Sequence, residues 1–192
     1  MSKLILGTNN EHKVIEMKAI LGDFYDEIVS LKEAGIDLDV VEDGDTFLAN
    51  ASKKALEAAQ ITNCDTLADD SGLCVDALGG APGVYSARYA GEDATYFDNN
   101  IKLIDQMQGI DDRSAKFVCV MALIRGTELI TATGEACGSI TPDLKIGGGF
   151  GYDPIFFSND LSKTFGKADA QEKNAVSHRY RALAALKEKL TP

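Results

Sequence analysis

The sequence lacks an apolar stretch long enough to cross a membrane. Its longest strongly apolar run covers residues 118–124, far short of the roughly 20 residues that a spanning helix needs. Near the amino terminus, the short apolar stretch at residues 4–6 leads at once into Gly7 and polar residues. That stretch is too brief for the apolar core of a secretion signal. We therefore expect a cytoplasmic protein with no membrane partner.

Cysteine and histidine are few and are not arranged for metal binding. The four cysteines form no CxxC pair, and neither of the two histidines stands at a zinc-ligand spacing from any of them. Without secretion, disulfides are not expected. We expect all four thiols to pack as core or half-buried small apolar side chains. A Ser-His-Asp triad is disfavoured as well, because no GxSxG pattern is present.

The chain also has fewer positively charged than negatively charged residues. The chain has 19 Lys and Arg against 30 Asp and Glu, for a formal net charge of -11. Such an acidic chain repels nucleic-acid polymers and anionic membrane surfaces, since affinity for them depends on neutralising phosphates. The balance does not exclude a small anionic ligand, which needs only a local cluster of cations or a bound metal ion.

The apolar patterning predicts one α/β domain over residues 1–192. Helices are predicted at 11–21, 46–61 with Asp45 as N-cap, 96–107, and after Ser177. Strands are predicted at 3–6, 27–31, 66–68, 73–75, 115–124, 128–135 and 154–157. A turn at Gly126-Thr127 joins two of the strands into a hairpin. The sum is a mixed central sheet with flanking helices, parallel at its start and antiparallel later.

A polar loop opens the first predicted helix, directly after the first strand. It reads Thr8-Asn9-Asn10-Glu11-His12-Lys13. A helix start offers unpaired backbone N–H groups and a positive dipole end, and Lys13 lies one turn in, within reach of a phosphate. The alternative is that Thr8 or Asn10 merely caps the helix and Lys13 is a solvated charge. The segment is not a Walker A loop, because it lacks the GKS or GKT ending.

Two adjacent acids, Asp69 and Asp70, follow the predicted strand at 66–68 and precede Ser71. Magnesium prefers carboxylate oxygens and retains several of its waters, so a carboxylate pair near a phosphate loop suits it. Glu42 and Asp43 are candidates for a further ligand. The alternative is that the two Asp residues are turn formers, or simply exposed, since Asp readily bonds its own backbone.

Two more clusters have the chemistry of a nucleotide site. Residues 150–153, Phe-Gly-Tyr-Asp, follow three glycines, and aromatic side chains on such a loop suit stacking on a base. Lys173 and the Ser-His-Arg sequence at 177–179 provide cations for a phosphate or a base carbonyl. The alternatives are a core Phe at a strand entrance and a capped, charged helix. Together the four clusters fit a nucleotide better than any other small ligand, but they leave open which bond breaks.

Three segments resemble one known family. Residues 67–91, the sequence GFGYDPIF at 149–156 and Ser-His-Arg at 177–179 are similar to the inosine triphosphate pyrophosphatase family, also called Ham1-like, and the likeness runs from about Leu4 to Leu186. The resemblance implies magnesium-dependent hydrolysis of ITP, XTP and dITP to the monophosphate and pyrophosphate. It also implies two lobes around a nucleotide cleft, and a homodimer.

The resemblance further implies residue roles. Asp70 is the expected general base and a magnesium ligand, and Glu42 is the second metal-site acid. The expected substrate-binding residues are Thr8, Asn9, Asn10, Glu11, His12, Lys13, Lys54, Ser71, Phe150, Gly151, Tyr152, Asp153, Lys173, His178 and Arg179. Arg179 is also the expected donor that selects a base with a 6-carbonyl over adenine.

The sequence departs from the family pattern at three positions. Asn9 replaces the usual Gly, Asp43 stands where Thr is frequent, and Ala49 where Glu is frequent. Two other functions stay open. One is a nucleotide hydrolase of different base specificity, and the other is a non-catalytic nucleotide-binding sensor. The intact set of Glu42, Asp70 and Lys13 argues against the sensor, which has no need of a metal-and-base set.

Overall fold

The computed structural model describes residues 2–22, 24–144 and 147–191. In chain order the elements are β1 Lys3–Leu6, α1 Glu11–Leu21, β2 Glu27–Ser30, α2 Phe47–Thr62, β3 Asp65–Val75, α3 Tyr96–Gln106, β4 Ser114–Arg125, β5 Glu128–Ile140, β6 Phe156–Ser158, β7 Lys163–Thr164, α4 Ala170–Val176 and α5 His178–Leu190. Short 3-10 helices cover residues 76–78, 83–88 and 165–167. Within the described ranges, no helix combines the length and apolarity needed to traverse a bilayer.

The strands form one mixed sheet in the order β2-β1-β3-β4-β5-β6-β7. β1 runs parallel to both of its neighbours, with Leu6 opposite Ser30 of β2 and Leu67 of β3. β6 is antiparallel to β5 and to β7. β4 and β5 are neighbours joined by the two-residue turn at Gly126-Thr127, which makes them the predicted hairpin. The predicted α/β class and mixed sheet are therefore confirmed.

The chain divides into two compact units. The first contains Met1–Asp70, Cys119–Gly134 and Arg179–Pro192, and the second contains Ser71–Val118 and Glu135–His178. The long strands β3, β4 and β5 each contribute residues to both units.

The first unit has a core on each face of its strands. On one face, α1 and α5 pack against the sheet through Met17, Leu67 and Leu183, all essentially inaccessible to solvent. On the other face, α2 packs through Ala51 and Ala55 against Ala68 and Ala122. The alanines leave little side-chain volume between helix and strands, so the α2 backbone lies close to this face of β3.

The second unit is built around three phenylalanines. The Phe117 ring meets the Phe156 ring edge to face, with centroids 4.7 Å apart, and stacks on Phe165 at 6.0 Å. Leu73 and Tyr152 belong to the same buried cluster. Aromatic pairs of this geometry contribute attraction beyond the burial of their area.

The continuity of β3 corrects the sequence prediction. Two short strands with a polar kink were expected, but a single strand runs from Asp65 to Val75. Asp69 and Asp70 do not break it, because each buried carboxylate has a polar partner from a helix, Lys13 for Asp69 and Asn50 for Asp70. The interpretation of these acids as turn formers or exposed residues is therefore wrong.

The ends of α2 and two small elements also differ from expectation. The N-cap is Thr46 rather than Asp45, since the Thr46 hydroxyl accepts a 3.1 Å hydrogen bond from the Ala49 amide. The helix α4 and the two-residue strand β7 were not predicted. Both are short enough for tertiary contacts, rather than local pattern, to decide them.

One cysteine departs from its expected environment. All four are free thiols; Cys119 is buried and Cys64 and Cys74 are half-buried, as predicted, but Cys137 is exposed. It lies on β5, where side chains alternate between the two faces of the sheet. Its neighbours in sequence, Ala136 and Gly138, occupy the buried side.

Candidate functional site

A cavity of about 300 Å³ opens in the first unit beside the loop that joins β1 to α1. Its lining includes Gly7, the polar residues 8–10, Lys13, Glu42 and Lys54. Four of the expected phosphate-binding residues and one expected metal-site acid therefore share one cavity. Lys54, another expected substrate-binding residue, lines the same cavity, although it and Glu42 are distant in sequence from the loop at residues 8–13.

Local geometry explains the shape of this loop. Gly7 follows β1 so closely that a Cβ there would lie 3.1 Å from the Ala68 Cβ atom. Thr8 Oγ1 accepts a 3.2 Å hydrogen bond from the Asn10 amide, and Asn10 Oδ1 accepts from the Lys13 amide at 3.4 Å. Asn10 thus caps α1, which is the alternative to phosphate binding that the sequence left open for this loop. The same residues line the cavity, so capping and ligand binding do not exclude each other here.

Asp69 and Asp70 point to opposite faces of the sheet because consecutive residues of a strand alternate. Asp69 lies on the face covered by α1 and α5, where Lys13 Nζ is 2.9 Å from each of its carboxylate oxygens. Asp70 lies on the α2 face, where its Oδ2 accepts a 3.0 Å hydrogen bond from Asn50 Nδ2. The two acids therefore belong to different surroundings.

These surroundings move the two pKa values in opposite directions. Burial raises the pKa of Asp70, the positive charge of Lys54 and the Asn50 hydrogen bond oppose that rise, and the negative charge of Glu42 adds to it. Burial also acts to raise the pKa of Asp69, but the charges of Lys13 and Arg179 outweigh it and hold that pKa well below its usual range. The surroundings of Asp69 therefore favour its ionised form, whereas burial favours the protonated form of Asp70.

Asn50 connects Asp70 to the loop that carries Glu42. Its Nδ2 donates to Asp70, while its Oδ1 accepts a 2.8 Å hydrogen bond from the Gly44 amide. A Cβ on Gly44 would come within 2.7 Å of Asn50 Oδ1, so the loop approaches the helix too closely for a side chain. Sequence analysis did not identify Asn50, because α2 was predicted from the spacing of its apolar residues, Phe47 and the alanines at 51, 55 and 59. The available signal was a polar residue adjoining Ala51 on the apolar face.

Glu42 and Asp70 are the two carboxylates that were expected at the metal site. Glu42 Oε1 lies 2.9 Å from Lys54 Nζ, and Lys54 and Glu42 both act on the pKa of Asp70. In the part of the chain that the structure describes, no three His, Cys, Asp or Glu side chains gather into a metal cluster. Magnesium is commonly held by one or two carboxylates together with substrate phosphates and water. The pair fits a cation of that kind.

The expected base-binding residues 150–153 and Lys173 lie together in the second unit. Asp153 Oδ2 accepts hydrogen bonds from the Phe150 amide at 2.9 Å and from Lys173 Nζ at 2.6 Å. Lys173 Nζ also lies 4.3 Å from the centroid of the Phe150 ring. Asn100 Nδ2 donates to the Gly151 carbonyl oxygen at 2.8 Å. The loop is therefore fixed by buried polar contacts on both sides.

Tyr152 and His178 are placed in the core of the second unit. Tyr152 is 3% exposed, and its hydroxyl donates to the Ser86 carbonyl oxygen at 2.8 Å. The His178 ring stacks on Phe117 with centroids 4.9 Å apart. Ser71 also belongs to this unit, as part of β3. Direct contact of any of these side chains with a substrate stays a prediction.

Arg179 belongs to the first unit and is almost wholly buried there. Its Nη1 lies 2.8 Å from Glu16 Oε2, and its Nε lies 3.5 Å from Asp69 Oδ2. Burial acts to lower the pKa of the guanidinium, but the charges of Asp69, Cys119 and Glu16 and the hydrogen bond to Glu16 together raise it above its usual value. Sequence analysis did not single out Glu16. Its only sequence signal is the one-turn spacing from Lys13 along α1.

The three departures from the family pattern leave the cavity intact. Among the described residues, the non-glycine positions with positive φ are Asn63 and Ser162, so Asn9 needs no left-handed backbone. Asp43 pairs with Lys53 at 2.7 Å on the surface. Nothing in the structure explains Ala49. The side chain of Glu11 is exposed. The side chain of His12 lies outside the described part of the structure.

Comparison with known proteins gives concordant matches over nearly the whole chain. The model of the Ham1 family matches residues 4–189. A protein of Clostridium perfringens named dITP/XTP pyrophosphatase is 49% identical, covering 99% of this chain and 98% of its own length. A Clostridium tetani protein of the same name is 49% identical over 99% of this chain and 96% of its own length. The solved structure of a Ham1 protein from Coxiella burnetii superposes with a TM-score of 0.91 at 40% identity, covering 100% of this chain and 99% of that one.

Proposed function

Because the chain belongs to the Ham1 family, we propose that it hydrolyses dITP, XTP and ITP to the nucleoside monophosphate and pyrophosphate. The family resemblance predicted from the sequence is confirmed, and with it the class of reaction, a nucleoside-triphosphate pyrophosphatase. The structural observation that carries the assignment is one cavity lined by Lys13, Glu42 and Lys54 beside the buried carboxyl of Asp70.

The phosphates bind at the amino-terminal end of α1 in this proposal. Backbone N–H groups of the first turn and the dipole of the helix attract anions. Lys13 and Lys54 add positive side chains to the same cavity. This local cluster of cations offsets the charge of an acidic protein, which otherwise repels a triphosphate.

Asp70 acts as the general base. Its carboxylate takes a proton from a water molecule whose oxygen attacks the α-phosphorus. The bond from that phosphorus to the bridging oxygen breaks, and pyrophosphate leaves with the electron pair. A pKa raised by burial brings Asp70 closer to the range in which a base exchanges protons efficiently. Asn50 orients the carboxylate through its hydrogen bond to Oδ2.

Glu42 and Asp70 are the residues that would hold a magnesium ion, which when bound would screen the phosphate charges and stabilise the leaving pyrophosphate. Three sets of roles stay predictions: framing of the base by residues 150–153, contact of Ser71 with the substrate, and nucleotide binding by Lys173, His178 and Arg179, with Arg179 as the donor that selects the base. In this proposal the protein acts on the free nucleotide pool in the cytoplasm, without nucleic-acid or membrane partners, and is the homodimer that the family resemblance implies. Size-exclusion chromatography with light scattering tests the dimer.

The deciding experiment measures pyrophosphate release from dITP, XTP, ITP, GTP and ATP, each with magnesium and with EDTA. Fast release from the first three, little from GTP and ATP, and loss in EDTA support the proposal. Binding of dITP without turnover would instead favour the sensor. Preference for a standard triphosphate would favour a hydrolase of different base specificity, and release of orthophosphate would contradict cleavage at the α-phosphorus.

A further inference from the structure

Four charged side chains of the first unit form a chain of alternating sign. Lys13 Nζ lies 2.9 Å from Asp69, Arg179 Nε lies 3.5 Å from the same carboxylate, and Arg179 Nη1 lies 2.8 Å from Glu16. Lys13 and Glu16 are three residues apart on α1, so they project from the same face of the helix. One helix face therefore contacts both members of the pair formed by Asp69 and Arg179.

Burial decreases toward the ends of this ion-pair chain. The side chain of Asp69 is 0% exposed and that of Arg179 is 3% exposed, whereas Lys13 is 17% and Glu16 is 18% exposed. Buried ion pairs bring little net stability, because desolvation cancels much of the attraction. Their geometry, in contrast, is well defined, since moving either partner leaves a buried charge uncompensated.

The charge arrangement leaves Lys13 positive toward the cavity that it lines. If Asp69 faced Lys13 alone, the two charges would cancel beside the ligand. Arg179 shares the Asp69 carboxylate, so these three side chains together carry one net positive charge. Glu16 supplies the balancing negative charge at the Arg179 end of the chain.

We propose that Glu16, Arg179 and Asp69 are positioning residues that hold Lys13, and with it the first turn of α1, against the phosphates of the substrate. The inference rests on the proposed function in that it takes the cavity at Lys13 to be the phosphate site. Glu16 is the outermost member and acts only through Arg179 and Asp69.

The test is a double-mutant cycle between Glu16→Ala and Lys13→Met, with two readouts. One is the steady-state kinetics of dITP hydrolysis, and the other is calorimetric binding of pyrophosphate, which requires no turnover. Glu16→Ala is expected to raise the KM for dITP and the Kd for pyrophosphate by about tenfold, with a smaller change in kcat. This is the result expected when the lost interaction stabilises the bound substrate and the transition state equally. In the Lys13→Met background the same substitution is expected to have little further effect.

Two further variants separate positioning from a structural role. Glu16→Gln keeps an oxygen that accepts from Arg179 and should recover part of the lost affinity. Glu27→Gln removes a carboxylate that pairs with Lys3 in the same unit, 3.1 Å away and exposed, and should leave KM and Kd unchanged. Additive effects of Glu16→Ala and Lys13→Met would overturn the proposal, as would a lower melting temperature with unchanged KM and Kd.

Failure of the proposed function has a different signature. A wild-type protein that releases no pyrophosphate from dITP would contradict that function alone. The pyrophosphate-binding cycle would still decide whether Glu16 acts through Lys13. Strong coupling in binding would uphold the positioning role, and additive or absent effects would reject it.

Discussion

Asp69 and Asp70 are consecutive in β3, yet their carboxylates bond to different helices, Asp69 to Lys13 of α1 and Asp70 to Asn50 of α2. Asp70 adjoins Asn50, which also bonds the loop bearing Glu42. Asp69 lies between the cations Lys13 and Arg179. Substitution of these neighbours should therefore have different consequences.

Asp70→Asn is expected to keep the fold and lose turnover. The substitution preserves size but removes the general base, which typically costs about 10²–10⁴-fold in rate. Pyrophosphate release from dITP measures the loss, and circular dichroism and the melting temperature verify the fold. Turnover near that of the wild type would show that another group takes the proton.

Asp69→Asn is expected to lower stability and also, because Lys13 loses the carboxylate that holds it, to raise the KM for dITP. It leaves Lys13 and the buried Arg179 without their shared carboxylate, and removing one partner of a buried ion pair typically costs about 3–5 kcal/mol. Urea unfolding of this variant beside Asp70→Asn gives the comparison. Equal stability of the two variants would contradict the difference in surroundings that the structure shows.

Asn50→Ala is expected to lower both stability and kcat. It leaves the Gly44 amide and an oxygen of Asp70 without their partner, at a cost of about 1–3 kcal/mol for a buried group. Asn99→Ala is the matched control, because Asn99 is also buried, accepting from the Ala90 amide and donating to the Ala87 carbonyl oxygen. We expect both variants to be destabilised, but only Asn50→Ala to lose kcat. A loss of kcat in Asn99→Ala as well would attribute the effect to general destabilisation.

The pH profile of kcat/KM should report the raised pKa of Asp70. A general base works when deprotonated, so activity falls as the pH drops through its pKa. Burial raises that pKa, and the acidic limb should therefore lie above the range of an ordinary carboxyl group. Because Asn50 donates to the ionised form, Asn50→Ala should move the limb to still higher pH. A shift to lower pH in that variant would contradict the assignment.

Glu33 should contribute stability that is lost only in strong acid. Hydrogen bonds from Lys18, and from the amide and hydroxyl of Ser30, lower its pKa from 4.5 to about 2. A carboxyl with a lowered folded-state pKa stabilises above its unfolded value, and this contribution disappears as the pH falls through the window from 4.5 to about 2. Unfolding of Glu33→Gln and the wild type across this window measures it. The two proteins should differ above the window and converge below it, and a constant difference would exclude the linkage.

Local sequence predicted the elements whose signals are local. α1 spans Glu11–Leu21 as expected, because its cap, Asn10, directly precedes it and its apolar residues lie within the segment. β3 was divided in two because consecutive acids resemble a turn when only their neighbours in sequence are considered. Their actual partners come from α1 and α2, and only the folded chain brings these together.

In the candidate site, too, residues with a local sequence signal were predicted and residues defined by tertiary contacts were not. Residues 8–13 were identified because a polar loop between a strand and a helix is recognisable from sequence. Glu16 was not, because its partner Arg179 is 163 residues away and each residue alone resembles a surface charge. Asn50 was not predicted for a similar reason, since the sequence does not show which buried groups a single polar residue in an apolar helix face contacts.

The opposite orientation of the two acids also depends on how β3 is aligned with β1, where Leu6 lies opposite Leu67. A slip of one residue would turn every side chain of the strand to the other face. After a slip in one direction, Asp70 would take the place of Asp69 beside Lys13, and Ser71, which has no carboxyl group, would take the place of Asp70 beside Asn50. A single-residue deletion in β3 should therefore abolish catalysis even in a chain that still forms the sheet, because strand alignment decides which carboxylate meets the water.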